Sequence, residues 1–391
     1  MNNRELFLRF LAQTSDFPLA IEIERAEGVY LYGPDGEKYL DMISGISVSN
    51  IGHRHPKVVK AIKEQADKYL HLMVYGEYVQ SPQIKLANLL VSQLPESLNN
   101  VYFVNSGSEA VEGGMKLAKR YTGRTEIVCF NNAYHGSTHG SLSVMGNEKL
   151  KNAFRPLLPD IRILEFNNIN SLQQITDKTA CVIIEPVQGE AGALAADDVF
   201  LKEVRKKCTE TGSLLIFDEI QAGFGRTGSL WAFEQYGVIP DILLLAKSMG
   251  GGMPIGAFIA SSEIMQCLKN NPVLGHITTF GGNPLCAASA LANLEVILEG
   301  QLWHKAKMIE DVCKSKLKHT EIKSVRGRGA LLAVEFDNFK TNKRIIDACI
   351  KKGIITDWFL FADNCLRIAP PLIITQDQIS DACDIILDSI A

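Results

Sequence analysis

Between residues 100 and 260 the chain repeats one rhythm, a short apolar, β-branched run followed by a connecting stretch. The runs are Val101–Val104, Ile127–Phe130, Cys181–Ile184, Leu214–Phe217, Ile242–Ala246 and Ala257–Ala260, and the amphipathic stretches between them include Glu109–Tyr121 and Val199–Thr209. Most of the runs are apolar at every position rather than at alternate ones, so each strand must be covered on both faces. That requirement predicts an α/β fold with a largely parallel sheet between two layers of helices. Ligands in such sheets bind beyond the carboxyl ends of the strands, so chemistry is expected at the residue that follows each run.

The two chain ends read differently. Val29–Leu40 (VYLYGPDGEKYL) is a hairpin pattern around Pro34-Asp35-Gly36, and the last third offers a helix at Ala287–Leu298, a strand at Ala330–Phe336 and the run CLRIAPP. With 391 residues the chain exceeds one ordinary core. We expect a large central domain over residues 50–285 and a smaller α+β unit, built from residues 286–391 together with residues 1–49.

The charge pattern narrows the partners. A formal net charge of −4 with no Lys/Arg block argues against nucleic acid and against an anionic membrane surface. The opening MNNRELFLRFLAQTSDF carries Arg4, Glu5, Arg9 and Asp16, which suits an amphipathic helix better than a signal peptide. No run approaches the roughly 18 apolar residues of a membrane span. The nine cysteines are dispersed and never form C-x-x-C, so neither a zinc site nor a disulfide framework is expected, and a reducing cytoplasm is the natural setting.

Two motifs mislead. LLIFDE at Leu214–Glu219 resembles the acidic strand end of a P-loop ATPase, but the chain contains no Gly-Lys pair to supply the phosphate loop. GFGRTG at Gly223–Gly228 matches a dinucleotide fingerprint by letter. It follows its strand only after Asp218-Glu219-Ile220-Gln221 and includes Arg226, so it reads as a glycine-rich turn.

Three strand ends carry the chemistry. VYFVNSGSEAVEGG ends a strand in Asn105-Ser106-Gly107-Ser108, where small residues let a phosphate reach the free N–H groups of the next helix. LLIFDEIQAG ends in Asp218, a carboxylate that needs a cationic partner at the edge of an apolar strand. DILLLAKSMGGG ends in Lys247, an amine that apolar surroundings turn into a nucleophile, and the glycines after it leave room for a bulky ligand. An ordinary helix cap, a structural ion pair and a snorkelling lysine would each explain one of these. An anion nest, a buried acid and a strand-end lysine in one α/β domain match the needs of pyridoxal 5′-phosphate (PLP): a phosphate cradle, a counter-ion for a protonated pyridine, and an amine that forms a Schiff base.

The residues also resemble a family, the class III aminotransferases of PLP fold type I, which include acetylornithine, ornithine, 4-aminobutyrate and diaminopelargonate aminotransferases. The likeness runs nearly end to end through Gly52-His53-Arg54-His55-Pro56, NSGSEAVE, AYHG, IIEPVQGEAG, FDEIQAGFGRTG, AKSMGGGMPIGA, TTFGGNPL and LRIAPP. It implies a seven-stranded, mainly parallel sheet in the large domain. It also implies phosphate contacts from Gly107 and Ser108, a ring stacked on Tyr134 with His135 beside it, and Glu185 near the cofactor. Asp218 is expected at the ring nitrogen, Gln221 at the phenolic oxygen, and Lys247 as covalent anchor and general base. Arg367 would clamp the substrate α-carboxylate, with Glu190 shielding it in one half of a ping-pong cycle. Thr279 would reach the phosphate of the neighbouring subunit, so the resemblance implies a homodimer acting on small amino and 2-oxo acids, with no metal.

The sequence departs from the pattern at the substrate end. Many relatives carry arginine after His-Gly, where it binds a second carboxylate; here the residue is Ser137. Ile46 stands where ornithine-specific members have tyrosine, and neither the acidic residue after His-Gly nor the Trp-Trp pair of diaminopelargonate enzymes is present. Gly45-Ile46 and the compact chain favour an acetylornithine-like donor with 2-oxoglutarate as acceptor. 4-Aminobutyrate, ornithine and diaminopelargonate remain the alternatives, as does another PLP reaction (aminomutase, racemase or decarboxylase) on the same scaffold.

Overall fold

The structure is a computed structural model and describes residues 1–74 and 76–390. Its centre is a seven-stranded sheet of β1 (Asn100–Val104), β2 (Glu126–Phe130), β3 (Ile161–Leu164), β4 (Thr179–Ile184), β5 (Leu214–Asp218), β6 (Ile242–Leu245) and β7 (Gly256–Ala260). The spatial order is β1-β7-β6-β5-β4-β2-β3. Alternate residues of each strand enter two separate cores. Val128, Val182, Leu215, Phe217 and Leu243 face one, while Ile127, Cys181, Ile183, Ile216 and Leu244 face the other. Both cores are nearly fully sealed, which is why these strands read as unbroken apolar runs.

Two features of the sheet differ from the rhythm of the sequence. β7 runs antiparallel to both neighbours, β6 and β1. The link 246–255 between β6 and β7 is too short for the crossover that a parallel pair requires, so the chain folds straight back. The edge strand β3 was not among the six apolar runs. It contains Arg162, whose guanidinium lies 2.8 Å from Glu126, and most of its residues are not buried.

The helix Gly107–Thr122 shows how local chemistry fixes one side of the site. Ser106 caps it by accepting the Glu109 N–H at 3.2 Å, Lys119 and Arg120 sit in its last turn, and Gly123 closes it at φ 69°. Gly113 and Gly114 lie against the Phe258 and Leu244 side chains, where a methyl group would collide, so the helix beds closely on the sheet.

A strand from each part of the chain outside residues 50–285 joins one sheet. Tyr30–Tyr32 and Lys38–Asp41 form the hairpin, Arg25–Glu27 extends it on one side, and Ile354–Ile355 from the C-terminal part pairs in parallel with Lys38–Asp41 on the other. A four-stranded antiparallel sheet (Ser324–Arg328, Leu331–Glu335, Ala362–Ile368, Trp358–Phe359) carries Arg367 opposite Ala333. The first helix, Asn3–Phe10, buries none of its residues and leaves Leu8 and Phe10 exposed. Among the described residues no single helix is long and apolar enough to cross a membrane.

Candidate active site

Because β1, β2, β4, β5 and β6 share one direction, their carboxyl ends meet at one edge. There a cavity of about 200 Å³ is walled by Gly107 and Ser108 after β1, Tyr134 and His135 after β2, Glu185 after β4, Asp218 at the end of β5 and Gln221 beyond it, and Lys247 after β6. Eight of the twelve residues singled out in the sequence therefore line one small cavity.

Lys247 adopts φ +46°, a left-handed conformation that costs a non-glycine residue about 1–2 kcal/mol and persists only where its surroundings enforce it. Its Nζ donates to Gln221 Oε1 at 3.1 Å. Burial lowers the pKa of the amine, and this outweighs the opposing pull of the Glu190 and Asp218 charges. The lysine is thus biased towards the neutral, nucleophilic form.

Asp218 is 4% exposed and accepts from His135 Nδ1 at 2.7 Å and from the Ile220 N–H at 3.0 Å. Burial alone would depress the His135 pKa, but the hydrogen bond and charge of Asp218, helped by Glu185, raise it. Burial pushes the Glu185 carboxyl up to about 7, against the pull of His135 and the N–H groups of Tyr134 (2.9 Å) and Gly189 (3.0 Å). His135 Nε2 and Gln221 Nε2 are buried and have no hydrogen-bond partner among the described residues. Two unsatisfied buried nitrogens in the wall of a cavity are what a site for a polar ligand leaves behind. Gly136 sits where a methyl group would strike Ser108 Oγ and Ser141 Oγ, so only glycine lets the 134–138 segment close over the helix N-terminus.

Arg367 lies outside this wall, yet its charge is felt at Lys247. It is 2% exposed, and its two Nη atoms hold Glu190 at 2.9 and 3.1 Å. Its Nε donates to Asp357 Oδ1 at 2.7 Å, and its guanidinium covers the Phe359 ring with the central carbon 4.3 Å from the centroid. Asp357 is not among the residues that the sequence singles out. Its signal there is an acid interrupting the otherwise apolar, aromatic-rich run IITDWFLF.

Two more singled-out residues, besides Arg367 and Glu190, stand apart from the cavity wall. Ile46 lies in a turn, Ser44–Ser47, whose φ values of 50, 59, 65 and 62° are all left-handed, and this turn packs on the Lys247–Gly250 turn. Asp41 Oδ1 holds the turn by accepting the Ile43 and Ser44 N–H groups at 2.9 and 2.8 Å. Thr279 is exposed, although the neighbouring Thr278 hydroxyl accepts from Asn105 Nδ2 at 3.0 Å. At the substrate end, the Tyr134 hydroxyl meets Ser137 Oγ at 3.1 Å, and Tyr134 is tilted against Phe361.

Residues 11–390 match the family described as Aminotransferase class-III. The chain is 42% identical over 373 residues to the acetylornithine aminotransferase of Methanocaldococcus jannaschii, covering 92% of this chain and 91% of the relative. It is 37% identical over 394 residues to that of Methanopyrus kandleri, covering 100% and 99%. Among solved structures, a transaminase from the marine bacterium Virgibacillus superposes with a TM-score of 0.93 at 28% identity, covering 99% of this chain and 98% of that one. An ornithine aminotransferase from Toxoplasma gondii, described with partial occupancy of PLP at its active site, superposes with a TM-score of 0.91 at 29% identity, covering 99% and 92%.

Proposed function

This chain belongs to the class III aminotransferases, and from that premise we propose how its own residues perform PLP-dependent transamination and which donor they accept. The observation that carries the reading is one juxtaposition: a buried, pKa-depressed Lys247 and a buried Asp218 in the wall of one cavity beside a helix N-terminus.

The residues fit PLP. The N–H groups at Gly107 and Ser108 suit its phosphate, the Asp218 carboxylate its ring nitrogen, and the unpartnered Gln221 Nε2 its phenolic oxygen. Tyr134 would cover the ring, with His135 donating to Asp218 and Glu185 accepting the Tyr134 N–H. When bound, the cofactor supplies the aldehyde that takes up an amino group and a positive ring that accepts electrons from the substrate carbon. Lys247 would hold that aldehyde covalently, would yield it to the incoming amine, and as a free amine would carry the proton at the substrate carbon. Arg367 receives the α-carboxylate as a bidentate fork, and Glu190 occupies the fork when no carboxylate is there.

In this reading residues 50–285 form the cofactor-binding domain, and residues 286–391 close on it with residues 1–49. The enzyme acts as a homodimer in a reducing cytoplasm, which suits its nine unpaired cysteines. Exposed Leu70, Leu72, Val79, Leu274, Ile277 and Phe280 form the apolar surface for a second copy, and Thr279 within it reaches the partner's phosphate. We expect size-exclusion chromatography with light scattering to report twice the 43.1 kDa chain mass. A monomer that transaminates at full rate would refute the shared site.

The donor we favour is acetylornithine-like, as in the relatives of that name, with 2-oxoglutarate as acceptor. Ser137 provides no guanidinium for a distal carboxylate, so 2-oxoglutarate should be held mainly through Arg367. Ser137→Arg should lower the KM for 2-oxoglutarate about tenfold or more, the worth of one charge-assisted pair, and leave that for pyruvate unchanged. Equal KM shifts for both acceptors would show that Ser137 does not face the distal carboxylate. A donor panel of acetylornithine, ornithine, 4-aminobutyrate, lysine and diaminopelargonate tests the first substrate. Turnover of ornithine or 4-aminobutyrate in preference to acetylornithine would overturn the choice.

A further inference from the structure

Arg367 is paired with two carboxylates, and the two are anchored in different ways. Glu190 follows β4 on a turn flanked by Gly189 and by Gly192 at φ +79°, and besides the guanidinium its carboxylate accepts, among the described residues, only the Leu360 N–H at 3.2 Å. Asp357 is tied to the strand of Arg367 itself. The Arg367 N–H donates to the Asp357 carbonyl at 2.9 Å, and the adjacent Thr356 hydroxyl donates to the Arg367 carbonyl at 2.7 Å. Arg367 Nη2 also donates to the Trp358 carbonyl at 3.1 Å. One carboxylate thus comes from another part of the chain on a glycine-flanked turn, and the other is built into the same pair of strands.

We infer that Asp357 is a positioning residue that holds the Nε edge of Arg367 through both half-reactions, so that only the two Nη atoms exchange Glu190 for the substrate carboxylate. This rests on the role proposed above for Arg367. A guanidinium offers five N–H donors in one plane, and fixing the Nε edge sets the direction of the remaining fork. Without that contact, the side chain regains rotational freedom that each arriving carboxylate must remove. The charge balance follows the same logic. Glu190 and the substrate both present a carboxylate, so the exchange swaps one negative charge for another in contact with the two Nη atoms. A donor without a carboxylate beside its amine leaves Glu190 in place.

The test uses the holoenzyme with Asp357→Ala and Asp357→Asn, and with Asp357→Ser, too short to reach Nε, should the alanine variant fail to fold. Calorimetry measures the Kd of glutarate, an unreactive carboxylate, and half-reactions of the amino form compare pyruvate with butanal, which has no carboxylate. In the alanine or serine variant we expect the Kd of glutarate and the KM of pyruvate to rise about tenfold, consistent with one charge-assisted hydrogen bond. Pyruvate kcat and both butanal constants should stay within about twofold, and asparagine, which still offers Nε an acceptor, should restore most of the loss. Equal losses with pyruvate and butanal would mean that Asp357 only supports the fold, and an unchanged glutarate Kd would overturn the inference. Arg367→Ala separates the two layers. If it binds glutarate as the wild type does, or if the wild type binds none, the carboxylate clamp itself fails. If Arg367→Ala loses glutarate while Asp357→Ala keeps it, only the present inference fails.

Discussion

Lys247→Ala will fold, take up cofactor and lose turnover by about four orders of magnitude or more, the upper range for removing a positioned base, because the covalent anchor goes with it. No neighbour can replace it. Asp218 is engaged by His135 and Ile220, Glu185 by the Tyr134 and Gly189 N–H groups, and His135 Nδ1 by Asp218. Arginine at 247 should fail as completely, since a guanidinium does not deprotonate at working pH. The fold should survive, because among the described residues the amine's only hydrogen bond is to Gln221 and its own charged state is already disfavoured by burial. Three measurements check this: kcat, borohydride fixation of cofactor located by peptide mass, and a thermal melt. A variant that kept more than about one per cent of kcat, or fixed the cofactor at another side chain, would remove Lys247 from the centre of the mechanism.

The place of Lys247 at a strand end is legible in the sequence, and the reason is physical. A strand buried on both faces is written as a continuous apolar run, so the first polar residue beyond it stands out. Asp218 after LLIF and Lys247 after ILLLA are visible for that reason, and the shared direction of β5 and β6 then brings them together. The edge strand β3 lacks this signature because one flank faces water and Arg162 is needed there to pair with Glu126. The reversal of β7 is decided by the length of its connection, which the apolar pattern does not record.

The substrate end was less legible for other reasons. Arg367 and Glu190 stand 177 residues apart and were visible only through the resemblance of their motifs to a family. Asp357 belongs to no such motif, and its partner is set by a strand pairing that exists only after folding. The letters Ser44-Gly45-Ile46-Ser47 give no hint of four successive left-handed residues. That conformation is imposed from outside, by Asp41 and by the Ser44 hydroxyl donating to the Ala369 carbonyl at 2.7 Å. Thr279 is exposed on its own chain, so its proposed role requires a second one.

Asp218→Asn is the second large effect, and it separates charge from geometry. The amide is nearly isosteric and can still accept from His135 Nδ1, so the 2.7 Å contact should persist and the fold should hold. What disappears is a negative charge on a buried side chain, 4% exposed, where one preorganised electrostatic partner is worth about 10²–10³ in rate. We expect kcat to fall by that factor with little change in the KM of the acceptor, because Arg367 is untouched. The His135 titration reports the same loss independently. Burial lowers the imidazole pKa and the Asp218 carboxylate reverses this, so without the charge the ring should lose its proton at lower pH than in the wild type, as histidine-selective NMR would show. A kcat within threefold of wild type would mean that the carboxylate does not face the developing charge of the reaction. An imidazole titration unmoved by the substitution would mean that Asp218 is not what raises the His135 pKa.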